Sequence, residues 1–158
     1  MWYMNPIKVS IDVPQTRNEV YDFLDVLANH ELFTEHMMRD WQLEGPERGV
    51  GGKARFNVVL AGRSEPVELE VIAAEPPIRN VERNTSAGGR RVATGTYTLD
   101  TIPGGGTRVN FEYAWQQAPL SERLAAPIIR RMMRSALERA MQRLAEQLQA
   151  ASRLVDTR

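Results

Sequence analysis

The order of hydrophobic and polar residues predicts the first elements of the chain. In the segment PIKVSIDV every second residue is apolar, a period typical of a strand with one buried face. After Pro14 the period becomes helical, with apolar residues at Val20, Phe23, Leu24 and Leu27. Thr16 and Glu19 have the spacing of a capping box at the start of this helix. A second short helical segment, ELFTEHMM, follows a bend near Asn29.

A run of antiparallel strands is predicted between Trp41 and Trp115, separated by the turn-forming segments GPERGVGG, AGRSE, AEPP, NTSAGG and IPGGG. Apolar residues alternate with polar ones in most of these strands, which indicates a sheet covered on one face. The apolar set is Ala54, Phe56, Val58, Leu60, Val67, Leu69, Val71, Ala93, Gly95, Tyr97, Leu99, Val109, Phe111, Tyr113 and Trp115. The segment IRNVER lacks clean alternation, so we expect either Asn80 and Glu82, or Arg83, to approach the covered side.

The final segment predicts a long amphipathic helix over about residues 120–150, which Pro127 bends or restarts near its beginning. Its apolar stripe consists of Ile129, Met132, Met133, Ala136, Leu137, Ala140, Met141, Leu144 and Leu148. The predicted fold class is therefore α+β. A seven-stranded antiparallel sheet is packed against this helix, and two short helices follow the first strand.

Composition narrows the class of protein. A length of 158 residues suits a single domain, residues 1–158. Twenty basic residues balance twenty acidic ones, so charge gives no reason to expect a nucleic-acid partner. The chain has no cysteine, which excludes disulfides, a thiolate nucleophile and a cysteine-based zinc site. We find no signal-peptide pattern and no apolar run of the ~18 residues that a membrane span needs. We therefore expect a cytoplasmic protein without integral membrane association.

The order of these elements resembles the helix-grip fold of the START-like, or SRPBCC, superfamily, in particular its bacterial polyketide cyclase/dehydrase and lipid transport branch. The similar segments are IDVPQTRNEVYDFLDVLANHELF, GGKARF, VELEVIAAEPPIRNVER, GTYTLDTIPGGGTRVNFEYAW and the closing helix, so the resemblance covers nearly the whole chain. One departure concerns a tryptophan that the family often has just after the short helices. Here Phe33 is near that place and Trp41 comes later.

The resemblance implies that the sheet curls around the long helix and leaves a cavity for a hydrophobic small molecule, such as a lipid, a polyketide or a quinone. No cofactor is expected. The cavity would be lined by Phe33, His36, Trp41, Phe56, Val58, Leu69, Val71, Glu82, Tyr97, Leu99, Phe111, Tyr113, Met133, Leu137 and Met141. Two alternatives stay open. One is a polyketide aromatase/cyclase in which a tyrosine or Glu82 transfers protons, with no catalytic residue assigned. The other is a protein-interaction module that uses the groove, and a homodimer is compatible with each alternative.

The segment HELFTEH contains both histidines of the chain, six positions apart. This spacing turns His36 about 120° away from His30 around a helix, whereas a zinc pair such as HExxH needs both on one side. We therefore expect no metal site. The segment is interpreted as scaffold, with His36 either at the mouth of the cavity or exposed.

Overall fold

The computed structural model describes residues 4–156 of the chain. Strand β1 (Ile7–Val13) leads into helix α1 (Arg17–Asp25), a 3₁₀ turn (Leu27–Asn29) and helix α2 (His30–Thr34). Six strands follow, namely β2 (Met38–Glu44), β3 (Lys53–Leu60), β4 (Arg63–Glu75), β5 (Arg79–Ser86), β6 (Arg91–Thr101) and β7 (Thr107–Gln117). Between β5 and β6 lies a second 3₁₀ turn (Ala87–Gly89), and helices α3 (Leu120–Leu124) and α4 (Ala126–Asp156) complete the described chain.

All seven strands form one antiparallel sheet in the order β1-β7-β6-β5-β4-β3-β2. The sheet is curved, and α4 packs against its apolar face, which confirms the predicted α+β helix-grip fold. Of the predicted apolar face, most residues are buried, whereas Val58, Leu60 and Tyr113 are only half-buried.

Helix α1 begins with the predicted capping box. The Thr16 hydroxyl accepts a hydrogen bond from the backbone amide of Glu19, and the Glu19 carboxylate accepts one from the backbone amide of Thr16. These two bonds satisfy amides that the first helical turn leaves without intrahelical partners. The helix buries its apolar side, with Val20, Tyr21 and Leu24, against the main core.

The C-terminal helical region is broken at Ala125, so Pro127 belongs to the first turn of a second helix as the sequence predicts. Helix α4 extends to Asp156, beyond the predicted end near residue 150. Its buried residues are Leu137, Ala140, Met141, Leu144 and Leu148, all members of the predicted apolar stripe.

Two arginines of α4 contact the edge strand β1 and the residues that precede it. Arg130 donates hydrogen bonds to the backbone carbonyls of Asn5 and Pro6, at 3.0 and 3.1 Å. Arg134 donates to the carbonyl of Lys8 at 3.1 Å. The polar side of the helix therefore contacts β1 and the residues before it.

The apolar interior has two parts. The larger cluster fills the space between α1, α4 and the β1-β7-β6 half of the sheet. The smaller cluster lies on β3 and β4, around Phe56 and Leu69, with Leu27 from the first 3₁₀ turn. Half-buried Met38 packs against both clusters, so the two meet near the start of β2.

An irregularity in β4 explains why β5 lacks clean alternation. Val71 pairs with Glu82 and Ala73 pairs with Val81, which leaves Ile72 as an extra residue between them. A bulge of this kind shifts the side-chain pattern by one position. As a result Asn80, Val81 and Glu82 are all buried, whereas Arg83 is exposed and pairs with Glu70. The first of the two alternatives, Asn80 and Glu82, is therefore the one that faces inward.

Candidate functional site

A small cavity lies where the two core clusters meet, enclosed by α2, β2, the middle of the sheet and α4. Most of the side chains that line it are aromatic or aliphatic, and one histidine and one glutamate interrupt them. The lining residues are His30, Phe33, Thr34, Met37, Met38, Trp41, Leu69, Glu82, Tyr97, Phe111, Leu137, Ala140 and Met141.

Glu82 is the acidic group of this cavity. It sits on β5 directly opposite Gly95 of β6. A β-carbon at position 95 would lie 3.0 Å from Oε1 of Glu82 and 2.9 Å from Cζ of Phe111, so only glycine leaves room for both side chains. The carboxyl is buried, and its Oε2 atom has no hydrogen-bond partner. Burial raises the pKa of Glu82 to about 8, so the carboxyl is mostly protonated at pH 7.

His30 begins α2 and faces Glu82. Its Nε2 atom lies 2.7 Å from the carbonyl oxygen of Leu24. Because a carbonyl only accepts hydrogen bonds, we assign the ring proton to Nε2, which leaves Nδ1 with a free lone pair. Nδ1 is 3.7 Å from Oε2 of Glu82. Burial lowers the pKa of His30 to about 4 against an opposing effect of the Leu24 bond, so both groups are neutral and form no ion pair at pH 7.

Aromatic rings hold this polar pair in place. The ring of Tyr97 meets the His30 ring edge-on at a centroid distance of 5.7 Å, and Phe33 lies 5.3 Å from His30 on another side. Tyr97 also contacts Phe111 at 4.7 Å. Burial raises the pKa of Tyr97 well above its ordinary value, so its phenol stays neutral. The pair therefore lies in surroundings of low polarity.

Trp41 forms the part of the wall that belongs to β2. It is half-buried and stacks on Phe56, with ring centroids 4.5 Å apart. Its indole Nε1 atom is buried and has no hydrogen-bond partner. Phe56 supports Trp41 from behind and does not itself line the cavity.

The structure brings together eight of the fifteen residues that the sequence placed in the cavity. These are Phe33, Trp41, Leu69, Glu82, Tyr97, Phe111, Leu137 and Met141. The other seven, His36, Phe56, Val58, Val71, Leu99, Tyr113 and Met133, lie elsewhere in the fold. Phe56, Val58 and Val71 belong to the smaller core cluster, and Leu99, Tyr113 and Met133 pack with the larger one. Nε2 of His36 instead donates to the carbonyl of Ala136 on α4, at 2.8 Å.

Five lining residues were missed by the sequence analysis, namely His30, Thr34, Met37, Met38 and Ala140. Ala140 carried a usable signal, because it lies on the predicted stripe of α4 between Leu137 and Leu144. Of the other four, His30 and Thr34 lie in α2, Met37 lies in the turn after it and Met38 begins β2, and this short stretch is too irregular for its inward side to be read from a period.

The cavity is much smaller than the resemblance implies. About 20 Å³ is open to the centre of a water molecule, which is room for about one water. Pockets that hold drug-sized ligands measure about 300–1,000 Å³. Phe33, Phe111 and Met141 are buried and line the cavity, so their side chains fill most of the space between the sheet and α4.

The described residues offer neither a metal-binding cluster nor a membrane-spanning helix. Within residues 4–156, no group of three or more histidine, aspartate or glutamate side chains converges to hold a metal ion. No helix in the same part of the chain has the length and apolar character needed to cross a membrane.

Comparisons with known structures identify the fold. The protein TTHA0849 from Thermus thermophilus superimposes with a TM-score of 0.73 at 19% identity, covering 94% of this chain and 99% of that one. A protein from Rhodobacter sphaeroides gives a TM-score of 0.66 at 21% identity, with 92% of each chain covered. DynU16, a protein of the dynemicin biosynthetic locus, gives 0.63 at 19% identity, and the match covers 92% of this chain but 48% of DynU16.

The sequence itself identifies the family. No curated protein matches this chain. A family model described as polyketide cyclase / dehydrase and lipid transport matches residues 4–149. Since that match spans nearly the whole sequence, the chain belongs to the polyketide cyclase/dehydrase and lipid transport family.

Proposed function

We propose that this protein binds a small hydrophobic molecule, of lipid, polyketide or quinone type, between the sheet and α4. The family description and the dynemicin-locus protein among the structural neighbours both favour such a ligand. The largely aromatic and aliphatic wall supplies the apolar contact that binding requires. No cofactor takes part in this proposal.

The observation that carries the proposal is the unpartnered carboxyl oxygen of Glu82. Buried polar atoms in folded proteins almost always have hydrogen-bond partners, because an unsatisfied group costs free energy. Oε2 of Glu82 has none in the described structure, although it faces a cavity. A ligand with a polar end placed there would satisfy this atom and contact the apolar wall with its remainder.

Binding of such a molecule requires the cavity to enlarge. Met37, Met38 and Met141 line it, and methionine side chains have three rotatable bonds that allow them to repack around a guest. Two contacts hold the end of α2 against α4, the His36–Ala136 hydrogen bond and an ion pair of Arg143 with Glu35 at 2.7 Å. We expect ligand entry to separate these groups.

Thermal shift and native mass spectrometry with fatty acids, sterols, quinones and aromatic polyketides test this function. A ligand that binds only the folded state should raise the melting temperature in proportion to the logarithm of its concentration above Kd. Replacing Ala140 with valine adds two methyl groups to the cavity wall. We expect this variant to need at least about ten times more ligand than wild type for the same rise in melting temperature. The matched control is Ala150→Val on the exposed side of the same helix. The proposal is wrong if no compound of the panel shifts the wild type, or if Ala140→Val binds as tightly as the control.

A second candidate function is a polyketide aromatase/cyclase, and the neutral pair of His30 and Glu82 favours it. A protonated carboxyl beside an unprotonated imidazole can donate and accept protons within one site. Glutamine at position 82 keeps the shape and hydrogen bonding of the side chain but cannot transfer a proton. We therefore expect Glu82→Gln to retain binding of a poly-β-ketone chain and to lose its cyclisation by about 100-fold or more. Chromatographic analysis of the products measures this, and equal turnover by the two proteins would exclude Glu82 as the proton-transfer group.

A further inference from the structure

We infer that His30 and Glu82 together form a subsite for a hydroxyl group, so that the bound hydrophobic molecule is a phenol, an enol or an alcohol. In this arrangement the ligand hydroxyl donates its proton to Nδ1 of His30, and its oxygen accepts a hydrogen bond from the Glu82 carboxyl. This inference rests on the proposed function and specifies the polar end of the ligand.

The roles of the two nitrogens of His30 follow from its contacts. Nε2 is engaged with the carbonyl of Leu24 at 2.7 Å, and this bond fixes the orientation of the ring. Nδ1 is thereby left as a hydrogen-bond acceptor on a residue that is 3% exposed and lines the cavity. An acceptor in that position calls for a donor from the ligand.

The distance between the two side chains suits one shared oxygen atom. Nδ1 of His30 and Oε2 of Glu82 are 3.7 Å apart, which is too long for a direct hydrogen bond. A single oxygen can lie about 2.8 Å from both atoms at once, which is an ordinary hydrogen-bond length. The pair therefore accommodates one atom that both donates and accepts.

The chemistry of the pair selects a neutral hydroxyl over other polar groups. At pH 7 the carboxyl retains its proton and the imidazole lacks one, since burial raises the first pKa and lowers the second. A ligand carbonyl would accept from Glu82 but leave Nδ1 without a partner. A carboxylate or an ammonium would bring an unpaired charge into an apolar site, which costs far more free energy than burying a hydroxyl. A hydroxyl satisfies both protein atoms and carries no charge.

Matched sets of probes test the inference on the intact protein. Each set contains a hydroxylated aromatic, its methyl ether and its parent hydrocarbon, at three sizes based on phenol, 1-naphthol and 1-anthrol. The ether retains an acceptor but has no proton to donate to Nδ1. We expect the hydroxylated member to bind wild-type protein at least about tenfold more tightly than its ether, as the loss of a buried hydrogen bond predicts. Calorimetry and native mass spectrometry provide the dissociation constants.

Two variants then test whether the preference for the hydroxylated probe arises from His30 and Glu82. Glu82→Met and His30→Phe should each bind the hydroxylated probe and its ether with similar affinity, whereas the control Glu68→Met, on the exposed side of β4, should behave like wild type. Equal binding of all three members to wild type would overturn the hydroxyl subsite. The proposed function would be unaffected, and His30 and Glu82 would then contact only a buried water. A preference for hydroxyl that persists in both cavity variants would also overturn it. If no probe of any size binds, the subsite fails, and the proposed function fails with it only when the fatty acids, sterols, quinones and polyketides also leave the melting temperature of wild type unchanged.

Discussion

The buried carboxyl of Glu82 and the buried imidazole of His30 make stability depend on pH in opposite directions. The pKa of Glu82 rises from 4.5 to about 8 on folding, so between these values the folded state holds a proton that the unfolded chain has lost. The free energy of unfolding therefore falls as pH rises through this range, by at most about 1.4 kcal/mol per pH unit. The pKa of His30 falls from 6.5 to about 4, so its contribution is present above 6.5 and is lost as pH falls towards 4.

Substituting Glu82 with glutamine should remove the decrease in the free energy of unfolding between pH 4.5 and about pH 8. The amide has the same shape as the protonated carboxyl and no proton to lose. We expect the melting temperature of wild type, relative to Glu82→Gln, to fall as pH rises from 5 to about 8 and to level off above pH 8. Circular dichroism melts over this range measure the difference, and Glu68→Gln serves as an exposed control on the neighbouring strand. A difference that stays constant with pH would show that Glu82 is ionised in the folded protein.

At the residue scale, the sequence predicts which side chains are buried. It predicts less well which of these side chains contact one another. Glu82 was one of two alternatives for the inward face of β5, and the bulge at Ile72 that decides between them has no clear signature in the sequence. His30 and Glu82 are far apart along the chain, and their 3.7 Å approach depends on how α2 packs against the sheet. The sequence alone therefore predicts only a scaffold role for His30, because it does not reveal that Glu82 is its tertiary neighbour.

At the scale of elements, periodicity carries most of the information. The strands alternate because the sheet buries only one face, and α4 shows a stripe because it buries only one side. Five of the nine residues of the predicted stripe are buried, including Leu137, which is 5% exposed and lines the cavity, whereas Ile129, Met132, Met133 and Ala136 are half-buried. The path between α2 and β2 was not predictable in this way, because it is short and its side chains are fixed by the elements around it.

A charge at position 137 should test how tightly α4 is packed. Leu137→Asp would bury a carboxylate without a partner, and we expect it to lower the free energy of unfolding by several kcal/mol. Ser135→Asp is the matched control, since Ser135 is exposed on the same helix and should change stability by less than about 0.5 kcal/mol. Urea denaturation of the three proteins measures both effects. Equal midpoints for wild type and Leu137→Asp would contradict the packing described above.

At the scale of the whole molecule, the architecture was predictable and the volume of the cavity was not. The order of strands and helices follows from turn signals and hydrophobic periods that extend over many residues. The volume depends on the rotamers and small displacements of side chains such as Phe33, Phe111 and Met141, which the hydrophobic pattern of the sequence does not determine. The resemblance therefore led to the correct fold and to an overestimate of the open space inside it.

The contacts of Arg130 and Arg134 with the carbonyls of Asn5, Pro6 and Lys8 also bear on self-association. The outer strand of a sheet offers unpaired backbone groups to which a strand of another molecule can add. On the β1 side, an incoming strand would first have to displace both arginines from these carbonyls. The irregular pairing of β2 between Arg39 and Gln42 disturbs the opposite edge in a different way, since a bulge twists a strand away from regular pairing. Both features disfavour edge-to-edge joining of two copies of this chain and favour contact through helix surfaces or the outer face of the sheet.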